Sequence, residues 1–321
     1  MTQPDFSQRL HGIIPPVVTP LKPDFTVDES ALRRVIRHLL DSGVHGLFLL
    51  GSTSEVVFMD APARREVLRI AVDEVAGRVP LLAGVIDPTT DRVIAHARDA
   101  LAAGVDGLVV TAPFYTRTSQ AEIAEHFRAI RVAVDLPIMA YDIPVCVNVK
   151  LERSTLKQLR REGLIEGLKD SSGDDTNFRL LARECAEDPD FRLFTGSELM
   201  VDTAFLVGAH GCVPGLGNVD PAAYVALYDA AMREDWTEAR RLQERLIRVF
   251  NIVFQGTPRT SAGASGVGGF KTALKLLGII EHHHMHRPNL PLNDEETVRV
   301  AEILRAEGLL PAQERKLVPG V

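Results

Sequence analysis

The run "GLKDSSGD", Gly167 to Asp174, ends an apolar stretch on a lysine and an aspartate and then enters a small-polar loop. A lysine there has two uses. It can pair with its neighbour Asp170 as a solvated strand end, or it can be a nucleophile held at the mouth of a pocket. In the second case desolvation favours the neutral amine, which attacks a carbonyl carbon to give a Schiff base. Lys169 is the only lysine that ends an apolar run; Lys22, Lys150, Lys157, Lys271, Lys275 and Lys316 fall in loops, helices or the tail. Hydroxyls stand at comparable places: Ser52 and Thr53 in "GSTSE", Tyr115 in "APFYTRT", Tyr141 in "AYDIP". Iminium formation needs proton transfers, which a tyrosine in a hydroxyl chain can relay. Loop N–H groups and small hydroxyls can cradle the carboxylate of a 2-oxo acid. Against this, Ser52 and Glu55 also fit the spacing of a capping box, and Tyr141 can be a core aromatic with one internal hydrogen bond.

These residues matter only if the elements bring them together. Eight short apolar runs start at Gly12, Gly46, Pro80, Gly107, Pro137, Ile165, Phe191 and Gly211, spaced by roughly the ~30 residues of a βα unit. They do not alternate, which is the pattern of strands buried on both faces. Between them lie helical patterns, among them "ESALRRVIRHLLDSG", a start at Asp60–Pro62 and a Ser119/Glu122 capping box. The phrases "SGVHG", "AAGVDG" and "VGAHG" repeat a Gly-x-x-Gly spacing, the first glycine ending a helix and the second entering a strand. The pattern predicts a (β/α)8 TIM barrel as the catalytic domain over residues 1–235. A C-terminal helical extension, 236–321, is expected to pack on it, with a frayed tail from Pro311. A doubly wound sheet ranks second, since no GxGxxG follows the first run. In a barrel the active site lies at the C-terminal ends of the strands, where Lys169 and the hydroxyls fall.

The composition sets outer bounds. With 321 residues, 45% of them hydrophobic, the chain can bury a sizeable core. A net charge of −7 with no basic block argues against nucleic acid as the main partner. No apolar stretch approaches the ~20 residues of a membrane span, so no membrane partner is expected. "MTQPDFSQRL" does not read as a signal peptide, and Cys146, Cys185 and Cys212, with no CxxC, suit a reducing cytosol. The expected location is therefore cytoplasmic. No metal or other cofactor is expected: Asp87 and Glu198 make a thin ligand set without strand-end histidines. "EHHHMHRP" reads as a surface helix end, and "SAGASGVGGF" as a flexible interhelical loop.

Taken in order, "GSTSE", "APFYTRTSQ", "YDIP", "GLKDSSGD", "TGSE" and "GAHGCVPGLGN" resemble the dihydrodipicolinate synthase / N-acetylneuraminate lyase family of class I aldolases over almost the whole chain. The resemblance implies a homotetramer, a dimer of dimers, in which Lys169 binds pyruvate as a Schiff base. It puts the catalytic tyrosine on Tyr141, the loop hydroxyls on Ser52 and Thr53, and a relay tyrosine shared with the neighbouring subunit on Tyr115. Gly196 and Val213 fall on positions lining the pyruvate pocket. Synthase members carry an arginine for the carboxylate of aspartate semialdehyde where this chain has Cys146; Arg117 is the nearby cation that could take over that role. Other departures are Phe114 in a tyrosine pair, Asp142 for an asparagine and Ser54 for a glycine. The polar positions that bind feedback lysine in regulated members read Val56, Ala61, Pro88 and Phe114.

The expected function is thus a Schiff-base lyase or aldolase that makes or cleaves a carbon–carbon bond between a 2-oxo acid, pyruvate, and an aldehyde. The aldehyde is expected to lack a carboxylate and to be a neutral polyol or an aromatic. The alternatives are 4-hydroxy-tetrahydrodipicolinate synthase, a 2-keto-3-deoxy sugar-acid aldolase or dehydratase, a metal-dependent barrel hydrolase and a non-catalytic binding protein.

Overall fold

Each of the eight apolar runs contributes a strand: β1 Gly12–Ile13, β2 Leu47–Leu49, β3 Leu81–Gly84, β4 Gly107–Thr111, β5 Ile138–Asp142, β6 Gly167–Asp170, β7 Arg192–Thr195 and β8 Gly211–Cys212. The structure is a computed structural model and describes residues 6–312; residues 313–321 of the tail expected to fray lie outside the described residues. All neighbouring strands are parallel, in the order β1-β8-β7-β6-β5-β4-β3-β2. The two ends of that order are joined by bonds from His45 N–H to Ile13 O (2.8 Å), Phe48 N–H to Pro15 O (3.1 Å) and Val17 N–H to Phe48 O (2.9 Å). That closes a (β/α)8 barrel. β1 is short because Pro15 and Pro16 cannot donate to a ladder.

One helix follows each strand: α1 Glu29–Asp41, α2 Ala61–Val75, α3 Thr90–Ala103, α4 Gln120–Ala133, α5 Arg153–Arg161, α6 Asp175–Cys185, α7 Val201–Leu206 and α8 Pro221–Met232. Their starts are chemically specified. The Asp60 carboxylate accepts from Ala63 N–H at the head of α2, and Ser119 with Glu122 forms a complete capping box on α4. Gly43, Gly104 and Gly208 all have positive φ, so the first glycine of each repeated phrase turns the chain out of its helix.

The residue before the second glycine of that phrase has a further use. His45 Nδ1 accepts from Ile13 N–H at 3.1 Å, and Asp106 Oδ2 from Leu81 N–H at 2.9 Å. Glu166 Oε2 accepts from Ile138 N–H at 2.7 Å, and His210 Nδ1 from Leu193 N–H at 3.0 Å. In each case the same residue donates its own N–H back to the carbonyl of its partner, at 2.8–2.9 Å. Every even-numbered strand is thereby latched to the odd-numbered strand before it, at the N-terminal end of the barrel. A strand-edge N–H buried without such a partner would cost about 1–3 kcal/mol.

Three more long helices follow: α9 Trp236–Phe250, α10 Ala262–Leu276 and α11 Asp294–Ala306. "SAGASGVGGF", expected to be a flexible loop, is instead the first half of α10. Ser261 caps it by accepting from Ala264 N–H. A Cβ at Gly269 would lie 2.6 Å from Ile252 O, so the glycines allow close packing that outweighs their poor helix propensity. "EHHHMHRP" is no helix end either. It is an irregular segment with Met285 buried, held because its backbone satisfies a buried lysine of α10. No helix among the described residues is long and apolar enough to cross a membrane.

Candidate active site

The register sets four side chains level across the barrel: Thr111 of β4, Tyr141 of β5, Lys169 of β6 and Phe194 of β7. Successive residues of a strand point to opposite faces. Lys169 and Tyr141 therefore face one way, while Asp142 and Asp170 face the other, where Lys150 of the loop before α5 meets both carboxylates. The pairing of Lys169 with Asp170 that the sequence allows is ruled out by this alternation. The Lys169 ammonium nitrogen lies 4.0 Å from the Tyr141 ring centroid and 5.0 Å from that of Phe48. Lys169 is only 4% exposed, and no carboxylate lies within ion-pair distance of it among the described residues.

Gly196 donates to Asp170 O at 2.7 Å, and a Cβ placed on it would collide with Ser171 Oγ and come within 3.2 Å of Lys169 Cε. The absence of a side chain there leaves room beside the lysine. Val213, just beyond β8, is buried and donates to Thr195 O at 2.9 Å.

A cavity of about 410 Å³ opens at this end of the barrel, lined by Ser52, Thr53, Thr111, Phe114 and Cys146 among others. The β2 loop enters it as two short 3-10 turns, Ser52–Ser54 and Val56–Phe58, with Glu55 left-handed between them. Ser52 is not a helix cap. The N–H groups of Ser52 and Thr53 have no hydrogen-bond partner among the described residues, so hydroxyls and free amides stand together. Cys146, on the helical turn Pro144–Val147, is an exposed free thiol; partial desolvation pushes it up, and the Lys169 charge opposes this. Cys146 shares the cavity wall with Ser52 and Thr53 of the β2 loop.

Two expected site residues do not join them. Tyr115 is 93% exposed, at positive φ, and lines an outer hollow that shares Phe114 and Cys146 with the cavity. Arg117 is exposed and does not line the cavity. Asp87 is taken up by Arg92 (3.0 Å) and His96 (3.2 Å). Glu198 accepts from Gly215 N–H, Leu216 N–H and the Tyr224 hydroxyl at 2.8–2.9 Å. Burial pushes its carboxyl up, against those bonds, and the group braces the β7 loop to the β8 loop.

A second buried lysine escaped the sequence reading. Lys271 of α10 is fully buried, paired with Glu55, and donates to His284 O at 2.9 Å. Glu55 also accepts from His286 N–H at 2.9 Å. Burial alone would raise its carboxyl, but the Lys271 charge and the His286 and Lys271 hydrogen bonds hold it below the usual range. The signal was available: Lys271 lies between Phe270, Ala273 and Leu274, on the apolar face of its helix. Its partner, 216 residues away, was not.

A model of the Dihydrodipicolinate synthetase family matches residues 9–307. An uncharacterized DapA-like lyase of Halobacterium salinarum is 33% identical over 94% of this chain and 95% of its own length. The 4-hydroxy-tetrahydrodipicolinate synthase of Phenylobacterium zucineum is 30% identical over 93% of this chain and 98% of its own. The crystal structure of YagE, a prophage protein of the dihydrodipicolinic acid synthase family from E. coli K12 in complex with pyruvate, superposes with a TM-score of 0.87 at 28% identity. It covers 94% of this chain and 99% of YagE. Family match and barrel geometry agree over nearly the whole chain, which belongs to the dihydrodipicolinate synthetase family.

Proposed function

We propose that this family lyase works through a Schiff base. The Lys169 amine attacks C2 of pyruvate and water leaves to give an iminium. Loss of a C3 proton then gives an enamine that adds to an aldehyde carbon, and hydrolysis releases the product; cleavage runs the same steps backwards. Tyr141, with its ring against the lysine nitrogen, is the proton relay. Ser52 and Thr53, with their hydroxyls and unpartnered N–H groups, hold the 2-oxo acid carboxylate. Gly196 and Val213 line the pyruvate end, and Cys146 faces the aldehyde. Tyr115 completes the relay from a neighbouring copy of the chain, in a cytoplasmic homotetramer; its exposed ring is available for that. No metal enters the scheme, because the iminium itself takes up the electrons released when the C3 proton leaves.

The observation that carries this reading is the state of Lys169. Lys150 and Lys271 are both held by carboxylates, whereas Lys169 sits between two rings with no ion pair to break before it attacks. Pyruvate with borohydride should therefore leave a reduced adduct on Lys169 alone, mapped by mass spectrometry. An adduct on another lysine, or none with any 2-oxo acid, overturns the assignment.

A further inference from the structure

The cavity that shares Thr111 with the level of Tyr141 and Lys169 also specifies the kind of aldehyde, an inference that rests on the pyruvate reading above. Its volume of about 410 Å³ lies within the about 300–1,000 Å³ of small-molecule sites. Its apolar wall comes from five separate parts of the chain: Val57 and Phe58 after β2, Ile86 after β3, Phe114 after β4, Ile143 and Val147 after β5, and Ala264 and Val267 of α10. Val57 and Phe58 keep 51% and 41% of their surface exposed, so this apolar surface faces open space.

The polar part of the lining carries no spare cation. Among the described residues no lysine or arginine lines the cavity. Its one carboxylate, Glu55, is already engaged by Lys271 and the His286 N–H. Cys146 offers an exposed free thiol, which is no cation. Lys169, the nearby unpaired cation, is consumed when pyruvate binds. A substrate carboxylate in this space would lose its hydration without gaining a cation, and a polyol, with Ser52 and Thr53 taken by pyruvate, would find only Thr111, Ser261 and Asn289 in a lining that is otherwise mostly apolar. An aromatic ring meets neither penalty and finds the rings of Phe58 and Phe114.

We infer that the second substrate is an aromatic aldehyde with no acid group, seated against Phe58, Phe114 and Val147. The chemistry needs nothing further. The pyruvate enamine C3 bonds to the aldehyde carbon, the carbonyl oxygen takes up a proton, and water releases a 4-hydroxy-2-oxo acid from Lys169.

The test compares benzaldehyde, aspartate semialdehyde and glyceraldehyde as partners at saturating pyruvate. Benzaldehyde should have the highest kcat/KM by about tenfold or more. Phe58→Ser should lower the benzaldehyde value about tenfold, with borohydride trapping on Lys169 run on the same preparation to show that the variant is folded. Preference for either other aldehyde, or no condensation with any of them while pyruvate still traps on Lys169, overturns this inference and leaves the Schiff-base reading standing. An unchanged benzaldehyde value in Phe58→Ser removes the proposed seat. Failure of trapping in the native protein strikes the Schiff-base reading itself.

Discussion

A single residue step along β6 decides what its lysine can do. Lys169 and Asp170 are adjacent in sequence yet face opposite sides of the strand, so the charge that would quench the amine is spent on Lys150 instead. That consequence was legible from the period of a strand, once the strand was placed. Ser52, Thr53 and Tyr141 were also legible, because they follow apolar runs. Arg117 was read from its place after β4, but a loop residue's direction is set by its local backbone, and its side chain lies outside the cavity. The residue-scale prediction concerns Cys146. Replacing it by Arg puts a cation on a wall that lacks one, and Cys146→Arg should raise kcat/KM for aspartate semialdehyde. One charged hydrogen bond contributes about 1.5–3 kcal/mol, roughly ten- to a hundredfold. The pyruvate KM should hardly move. Efficient use of aspartate semialdehyde by the native enzyme would mean that another cation, such as Arg117, already fills the role.

Among the elements, the strands and the barrel helices were readable because their signals are local: apolar runs, caps and turn glycines. α10 was misread for the opposite reason. Its glycines argue against a helix one by one, and only the turn Asn251–Phe254 packed against them explains the helix. The latches between strands invite a direct check. Asp106→Ala leaves the Leu81 N–H without its acceptor and should cost about 1–3 kcal/mol in urea unfolding. Because this end of the barrel is remote from the chemistry, kcat should stay within about twofold. A large loss of kcat with unchanged stability would contradict the division of labour between the two ends.

At the scale of the molecule, the helices after the barrel help to build the site. Gln243 of α9 accepts from Val201 N–H and donates to Glu198 O, and Lys271 of α10 fixes the β2 loop through Glu55. Removing one partner of such a buried pair costs about 3–5 kcal/mol, while replacing both by neutral groups costs less. Lys271→Met should therefore lower stability by that amount and reduce kcat, since Ser52 and Thr53 share the loop. The double variant with Glu55→Gln should recover part of both; a double variant worse than the single would show the pair has no such coupling.

The histidines set a second global property. His11, His38, His45, His96, His126, His210, His283 and His284 are all pushed below the usual imidazole value, in each case mainly by burial. The unfolded chain then takes up protons at higher pH than the folded one. Stability is full above about pH 6.5 and falls on acidification toward the folded values. For His126, buried and lowered to about 4, the loss can reach about 3 kcal/mol. Unfolding at pH 5 should occur with net proton uptake and a lower Tm than at pH 7. A Tm that is flat over this range would remove the argument.

The latches at the barrel's N-terminal end have one more consequence. Viewed along the axis they recur at every second strand, so the closed barrel has the layout of a four-spoked wheel whose spokes differ chemically. Two are imidazoles and two are carboxylates, yet each supplies the same thing, a lone pair at a fixed height above the strand edge. The joints within each β-α-β quarter carry such a latch at this end of the barrel, and those between quarters do not among the described residues. A chain organised this way has natural seams. Cut after α1, α3, α5 or α7 and a latched pair is split; cut after α2, α4 or α6 and each piece keeps its pairs intact, so rearrangement by whole quarters is the exchange this architecture best tolerates.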